Sequence, residues 1–207
     1  MRIEFLFILL WSLLLAIGLS GCQGSPQQAA PILYQNLESS DCKYKSYPIV
    51  YVSDIQRRAT FYGLIYQHSC IYTCQVYTES SSNPEAVSPV GASGLFQLMP
   101  GTLDGLSKKY DLSSDPFRPI NNINAGLLYN RYLQSQWKVQ RPVEDRLKLS
   151  FASYNAGIGH ILSSQVKSGG KRLYPEIIEH LPSVTGKHSK ETLSYVSRIF
   201  VCHEATK

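Results

Sequence analysis

The stretch Glu79-Ser-Ser-Ser-Asn-Pro-Glu-Ala-Val-Ser88-Pro-Val-Gly-Ala-Ser-Gly94-Leu-Phe-Gln97-Leu-Met99-Pro-Gly-Thr102 decides how this chain is read. It places one acid at the end of an apolar run that the pattern predicts to be a helix over about 66–79. Val76 lies one turn before Glu79, and Tyr77 two residues before it. A carboxyl in apolar surroundings has its charged form disfavoured and its pKa raised. Such a group keeps its proton near neutral pH and can donate it. A solvent-exposed Glu at a helix end is the commoner reading of any Glu taken alone, so the context must decide. Asn83-Pro84, Ser88-Pro89, Gly91 and Gly94 mark a long structured loop after the acid. Pro100 followed by Thr102 predicts the next helix start.

Outward from this stretch the signals are helical. Ser53 reads as an N-cap with Gln56 completing a capping box, and a helix runs from about Asp54 until Gly63. Ala125, Leu128, Tyr129 and Tyr132 fall on one helical face, as do Leu147, Phe151 and Tyr154. The latter run ends at Asn155-Ala-Gly157, where Gly stops a helix. Val196, Ile199 and Phe200 form a last apolar stripe, and Asp115-Pro116 and Arg118-Pro119 make a second break. Strand signals are sparse. The prediction is a mostly α single catalytic domain of several short helices around a cleft.

The chain has 207 residues with 43% hydrophobic and 17% charged residues, which suits one packed domain plus short extras. Net charge is +5, and removing residues 1–21 leaves it unchanged because only Arg2 and Glu4 go. A mild positive excess suits an anionic polymer or a membrane surface, although ordinary solubility explains it equally. No nucleic-acid or nucleotide motif stands out, and no cofactor is expected.

The apolar run Phe5 to Leu19 matches the core of a secretory signal and is shorter than the ~20 residues a spanning helix needs. It closes on Leu19-Ser20-Gly21-Cys22, which resembles a bacterial lipobox. That resemblance implies lipidation of Cys22, and Gln23 after it implies outer-membrane sorting. Residues 1–21 are therefore read as a lipoprotein signal peptide, 22–48 as a lipid-anchored tether rich in Gln, Ser, Pro and Tyr, and 49–207 as the catalytic domain. Cys42, Cys70, Cys74 and Cys202 then make an even number in an exported chain, which predicts two disulfides with three possible pairings. Cys70 and Cys74 lie one helical turn apart, where a direct bond is awkward. Each is expected to reach a different partner, Cys42 or Cys202. The five His residues show no ligand-like spacing with them, so no metal is expected.

Four further blocks accompany Glu79-Ser80: Ser88 in Ala-Val-Ser-Pro-Val-Gly-Ala, Gly94-Leu-Phe-Gln97 with Met99, Ser153-Tyr-Asn-Ala-Gly157, and Glu191-Thr-Leu-Ser-Tyr195-Val. In this order they resemble the soluble-lytic-transglycosylase family, enzymes with a goose-type-lysozyme-like fold that cut bacterial peptidoglycan. The resemblance covers about Val52 to Phe200. It implies that Glu79 is the only catalytic acid/base. It implies that Ser88 orients the acid or the reacting sugar, that Gln97 lines the sugar cleft, and that Met99 sits beside the scissile bond. Tyr154 would contact the catalytic Glu, with Asn155 beside it, and Glu191 and Tyr195 would shape the groove. The chain departs from the pattern at Ser81-Ser82, where the family has Gly-Phe, at Phe96 for Met, and at Ser153 for Ala. Each matched residue also has a plain reading: Tyr154 as core, Gln97 as a loop donor, Met99 as filler, and Glu191 as a first-turn Glu favoured by the helix dipole.

Most glycosidases pair two carboxyls. No matching motif supplies a second one near Glu79; Glu85 and Asp104 are the nearest acids in sequence. A single acid by itself supports a single-acid glycan cleavage; the family resemblance implies a substrate-assisted, non-hydrolytic course in which the sugar's own C6 hydroxyl closes an anhydro ring. The expectation is a periplasmic, lipid-anchored lytic transglycosylase acting on glycan strands. Small one-domain members of the family often open the wall for a secretion, conjugation or phage apparatus. The rival readings are a muramidase of the same fold that admits water, and an inactive glycan-binding lipoprotein.

Overall fold

The computed structural model describes residues 50–64 and 69–206, all within one compact unit. The expected signal peptide, the tether, Cys22, Cys42 and the predicted helix start near Tyr66 lie outside the described residues. Among the described residues nine α-helices follow one another: α1 Val52–Phe61, α2 Cys70–Ser80, α3 Pro100–Tyr110, α4 Pro119–Gln136, α5 Val143–Ala156, α6 Ile158–Lys167, α7 Tyr174–Ile178, α8 Pro182–Thr185 and α9 Ser189–Glu204. A 3-10 turn, Gly186–His188, precedes α9. Among the described residues there is no strand, only two isolated bridges, Val87 with Ser93 and Ser93 with Leu98.

α2 is the axis of the molecule. Ile71, Tyr72, Thr73, Cys74, Gln75 and Val76 are all buried in succession. A helix covered on every side must be wrapped by others, and α1, α5 and α9 supply the cover with Ile55, Ala59, Phe151, Val196 and Ile199. Tyr72 meets Phe151 edge-on at 6.1 Å, and Phe151 meets Phe200 at 6.3 Å. Cys74 is bonded to Cys202, joining α2 to α9. Cys70 is also disulfide-bonded.

Helix starts differ from the sequence reading in one place. The N-cap of α1 is Tyr51, held at φ 65, and Ser53 and Gln56 both lie inside the helix. The backbone closes its first bond from Ile55 N–H to Tyr51 O (2.9 Å), so the helix gains a turn start before the expected capping box. α3 starts at Pro100, whose missing N–H is one of the orphans at any helix start. α2 ends in two consecutive left-handed residues, Ser81 (φ 51) and Ser82 (φ 63). They reverse the chain straight out of the helix and leave Glu79 in its last turn.

The loop 83–99 is pinned by one side chain. Asn122, fully buried in α4, accepts from Phe96 N–H (2.8 Å) and donates to Ser93 O (3.1 Å) and Pro116 O (3.0 Å). Gly94 sits against this clamp at φ 78; a Cβ there would lie 2.3 Å from both Asn122 Nδ2 and Pro116 O. Gly126 allows an equally close approach, since a Cβ there would meet the Phe96 ring at 2.2 Å. The loop therefore lies directly on α4.

Candidate active site

Glu79 projects from the last turn of α2 and is only partly exposed. Tyr195, buried in α9, donates its hydroxyl to Glu79 Oε1 at 2.5 Å. Burial pushes the carboxyl from 4.5 up to about 7, against the opposing pull of the Tyr195 hydrogen bond and of the Arg198 guanidinium. Desolvation wins because one neutral donor and one exposed cation do not replace the water that a carboxylate loses. The acid is thus half-protonated near neutral pH, able to give a proton and to take one back.

The remaining sequence-predicted residues lie on the loop 83–99, on α5 and on α9. On the loop, Ser88 Oγ accepts from Ala92 N–H (2.9 Å) and makes no hydrogen bond to Glu79. Gln97, at φ 44, gives both amide hydrogens to the loop, to Ala86 O (3.0 Å) and Gly94 O (2.9 Å). Its Oε1 is left as an acceptor. Met99 is 46% exposed just before α3, so it is not core filler.

On α5, Tyr154 donates to Phe96 O (2.7 Å), not to Glu79. This departs from the contact that the family resemblance implies, and the phenol that does hold Glu79 is Tyr195. The reason is geometric: α9, bonded to α2 through Cys74–Cys202, brings Tyr195 to the carboxyl, while Tyr154 is turned to the loop. Tyr154 remains near enough that the Glu79 charge helps raise its pKa well above the usual range, after burial. Tyr129 packs on Tyr154 at 5.1 Å and stacks with Tyr132 at 6.2 Å.

Between α5 and α9, Asn155 Oδ1 accepts from Thr192 Oγ1 (2.8 Å), at a pocket whose lining does not include Glu79. These two residues line this pocket of about 370 Å³ with His160, Thr185, His188 and Glu191. Glu191 also stands in the first turn of α9, so its place at the pocket and its dipole position coexist. Among the described residues no group of three His, Cys, Asp or Glu could hold a metal ion.

Sequence reasoning missed several residues that build this site. Asn122 carries the loop, and His160 and His188 extend the pocket. Gln75 and Asn130 stand behind Tyr195: Gln75 Nε2 donates to Tyr195 Oη (3.0 Å) and Asn130 Nδ2 to Gln75 Oε1 (2.9 Å). The signal was present for Gln75, a polar residue within an apolar helix and four residues before Glu79, hence on its face.

This lysozyme-like helical fold, with one acid at the end of its central helix, is that of the transglycosylases. The chain belongs to the Transglycosylase SLT domain family, whose model matches residues 70–175. It is 32% identical over 123 residues to the membrane-bound lytic murein transglycosylase F of Serratia proteamaculans, covering 58% of this chain and 24% of that protein. It is 37% identical over 123 residues to the soluble lytic murein transglycosylase of Escherichia coli K12, covering 56% and 18%. Among solved structures it resembles an inactive mutant of the lytic transglycosylase Slt from Pseudomonas aeruginosa, with TM-score 0.61, 27% identity, and coverage of 77% of this chain and 24% of that one. The 70 kDa soluble lytic transglycosylase from Escherichia coli is similar at TM-score 0.61 and 28% identity, over 76% and 24%. The chain thus spans about a quarter or less of each relative's length. The family match stops at residue 175, before α9 and Tyr195.

Proposed function

We propose that this protein is a peptidoglycan lytic transglycosylase in which Glu79 is the single general acid and base. The observation that carries the reading is the Glu79 carboxyl itself: it is desolvated, poised at about 7, and held on one oxygen by Tyr195. Among the described residues the groups acting on it are Tyr195 and Arg198, not a second carboxylate. Asp104 is engaged with Lys108 at the surface, and Glu85 is exposed.

Glu79 gives its proton to the β-1,4 oxygen between N-acetylmuramic acid and N-acetylglucosamine. The bond from the muramoyl C1 to that oxygen breaks, and the glucosamine leaves with a free 4-hydroxyl. The muramoyl acetamide oxygen supports the oxocarbenium-like centre. Glu79, now a carboxylate, takes the proton from the muramoyl C6 hydroxyl, and O6 closes on C1 to form the 1,6-anhydro ring. The Ser88 hydroxyl proton, Gln97 Oε1 and the Met99 side chain are the groups that would meet the sugars from the loop side. Asn155 and Glu191 would do so from the α9 side.

The substrate implied is the glycan strand of the cell wall, and the place of action the periplasm. Relatives of this catalytic unit are named as membrane-bound or soluble murein transglycosylases. Lipidation at Cys22, outer-membrane attachment and local wall opening for an envelope-spanning apparatus complete the proposal. They rest on the lipobox-like Leu19-Ser20-Gly21-Cys22. Among the described residues no helix is long and apolar enough to cross a membrane.

The deciding experiment is mass spectrometry of purified peptidoglycan digested with the protein and with Glu79→Gln. Muropeptides one water lighter than hydrolysis products, absent with the variant, are expected. Reducing-end products would make the enzyme a hydrolase. No product from either folded protein would leave a glycan-binding role.

A further inference from the structure

A buried chain of hydrogen bonds runs through three helices and ends on the acid. Asn130 in α4 gives one amide hydrogen to Gly126 O (2.9 Å) and the other to Gln75 Oε1 (2.9 Å). Gln75 in α2 gives Nε2–H to Tyr195 Oη (3.0 Å), and Tyr195 in α9 gives its single proton to Glu79 Oε1 (2.5 Å). Gln75 and Asn130 are fully buried, and Tyr195 is 2% exposed.

The direction of the chain is fixed at its far end. The Gly126 carbonyl can only accept, so the Asn130 atom facing it must be the amide nitrogen. Asn130 then presents a donor to Gln75, which must answer with its oxygen and turn its nitrogen to Tyr195. With a donor at its oxygen, the Tyr195 hydroxyl can only point its proton at Glu79. Reversing either amide would set two acceptors or two donors face to face, and once Glu79 is ionised its oxygen can only accept from Tyr195.

The arrangement is expensive as packing. Asn130 Oδ1 is buried with no partner, and an unsatisfied buried acceptor costs stability that Leu of similar size would not. A pair of leucines would fill the same space between α2 and α4. We infer that Gln75 and Asn130 are positioning residues for the catalytic acid: they lock the Tyr195 proton onto Glu79 Oε1 and so keep the other carboxyl oxygen for the substrate.

This rests on reading Glu79 as the acid. In a hydrogen-bonded chain each donor strengthens the next. Gln75 makes the Tyr195 hydroxyl a better donor and thereby stabilises the Glu79 carboxylate. The other groups facing Glu79 are Arg198 from α9 and Tyr154 from α5. Neither contacts Gln75 or Asn130 through a hydrogen bond, so removing the pair changes only the Tyr195 link.

The test compares wild type, Gln75→Leu/Asn130→Leu, Gln75→Leu alone, Tyr195→Phe and the triple variant. Melting temperature, the Glu79 carboxyl titration by carbon NMR, and the pH profile of kcat and KM on purified peptidoglycan are measured for each. The double leucine variant should melt at or above wild type, with its Glu79 titration and the alkaline limb of kcat both moved to higher pH. We expect kcat to fall about threefold to tenfold with KM nearly unchanged. Adding the leucines to Tyr195→Phe should change neither quantity further. A leucine variant that folds and titrates as wild type overturns the inference, and so does a leucine effect of equal size without Tyr195. If the double variant does not fold, Gln75→Leu alone carries the same readings. The NMR titration needs no turnover: a moved titration in a protein that yields no anhydro product keeps the inference and sinks the assigned activity. Anhydro product with an unmoved titration does the reverse.

Discussion

A carboxyl that keeps its proton at neutral pH is a burden once that proton is lost. The folded value of Glu79, about 7, lies above its ordinary 4.5. The native chain therefore holds this proton more tightly than the unfolded chain. Its contribution to stability is complete below the unfolded value and is lost as pH rises through the folded one. Glu79→Gln removes the ionisation. We expect the variant and wild type to be similar in stability at about pH 4, and the variant to gain up to about 3 kcal/mol at about pH 8. Urea denaturation at the two pH values measures this. Equal stabilities at the higher pH would show a carboxyl that titrates like an exposed one. The residue bound on stability and the residue needed for chemistry are then the same, which is a common cost of a desolvated acid.

At the level of elements, the cleft depends on how the loop 83–99 is tied to α4. Asn122 makes three hydrogen bonds from a fully buried position. Asn122→Ala leaves Phe96 N–H and Pro116 O without that partner, and Ser93 O with Leu98 N–H alone. The expected loss is about 2–4 kcal/mol in chemical denaturation, with KM for peptidoglycan raised because Ser88, Gln97 and Met99 ride on the same loop. An unchanged KM in the folded variant would mean that the loop keeps its place by packing alone. The element boundaries were legible where chain chemistry is strong: Pro100 at the start of α3, and Gly157 at the end of α5. They were not legible at α1, where Tyr51 takes a left-handed conformation that its sequence does not advertise. Ser81 and Ser82 do the same at the end of α2. Non-glycine residues adopt that region only when the surrounding contacts over-determine it.

For the whole molecule, the link between α2 and α9 matters most. These two helices carry Glu79 and Tyr195, and Cys74–Cys202 joins them across 128 residues. Closing so long a loop restricts the unfolded chain strongly, and losing such a bond in a small exported domain costs about 2–5 kcal/mol. Reduction should therefore lower the melting temperature clearly. A Cys74→Ala/Cys202→Ala variant should show a drop without reductant that reports this bond alone, since reduction also opens the bond at Cys70. An unmoved melting temperature in both would leave the bond without a stabilising role.

The sequence alone determined the helical class, the acid at the end of the apolar run, and the set of blocks around it. These are local properties: helical periodicity, a Pro or Gly at a turn, and a carboxyl beside Val76 are written in consecutive residues. Only the tertiary structure decided which phenol holds the acid. Tyr154 and Tyr195 are both tyrosines at matched motif positions, and nothing along the chain tells which hydroxyl reaches Glu79. That choice comes from packing between residues 116 positions apart, where α9 is drawn onto α2 and Tyr154 is turned to Phe96 O. The Asn130–Gln75–Tyr195–Glu79 chain is hidden for the same reason. Each polar residue looks like a misfit in its own helix, and only when the three helices meet do the misfits satisfy one another.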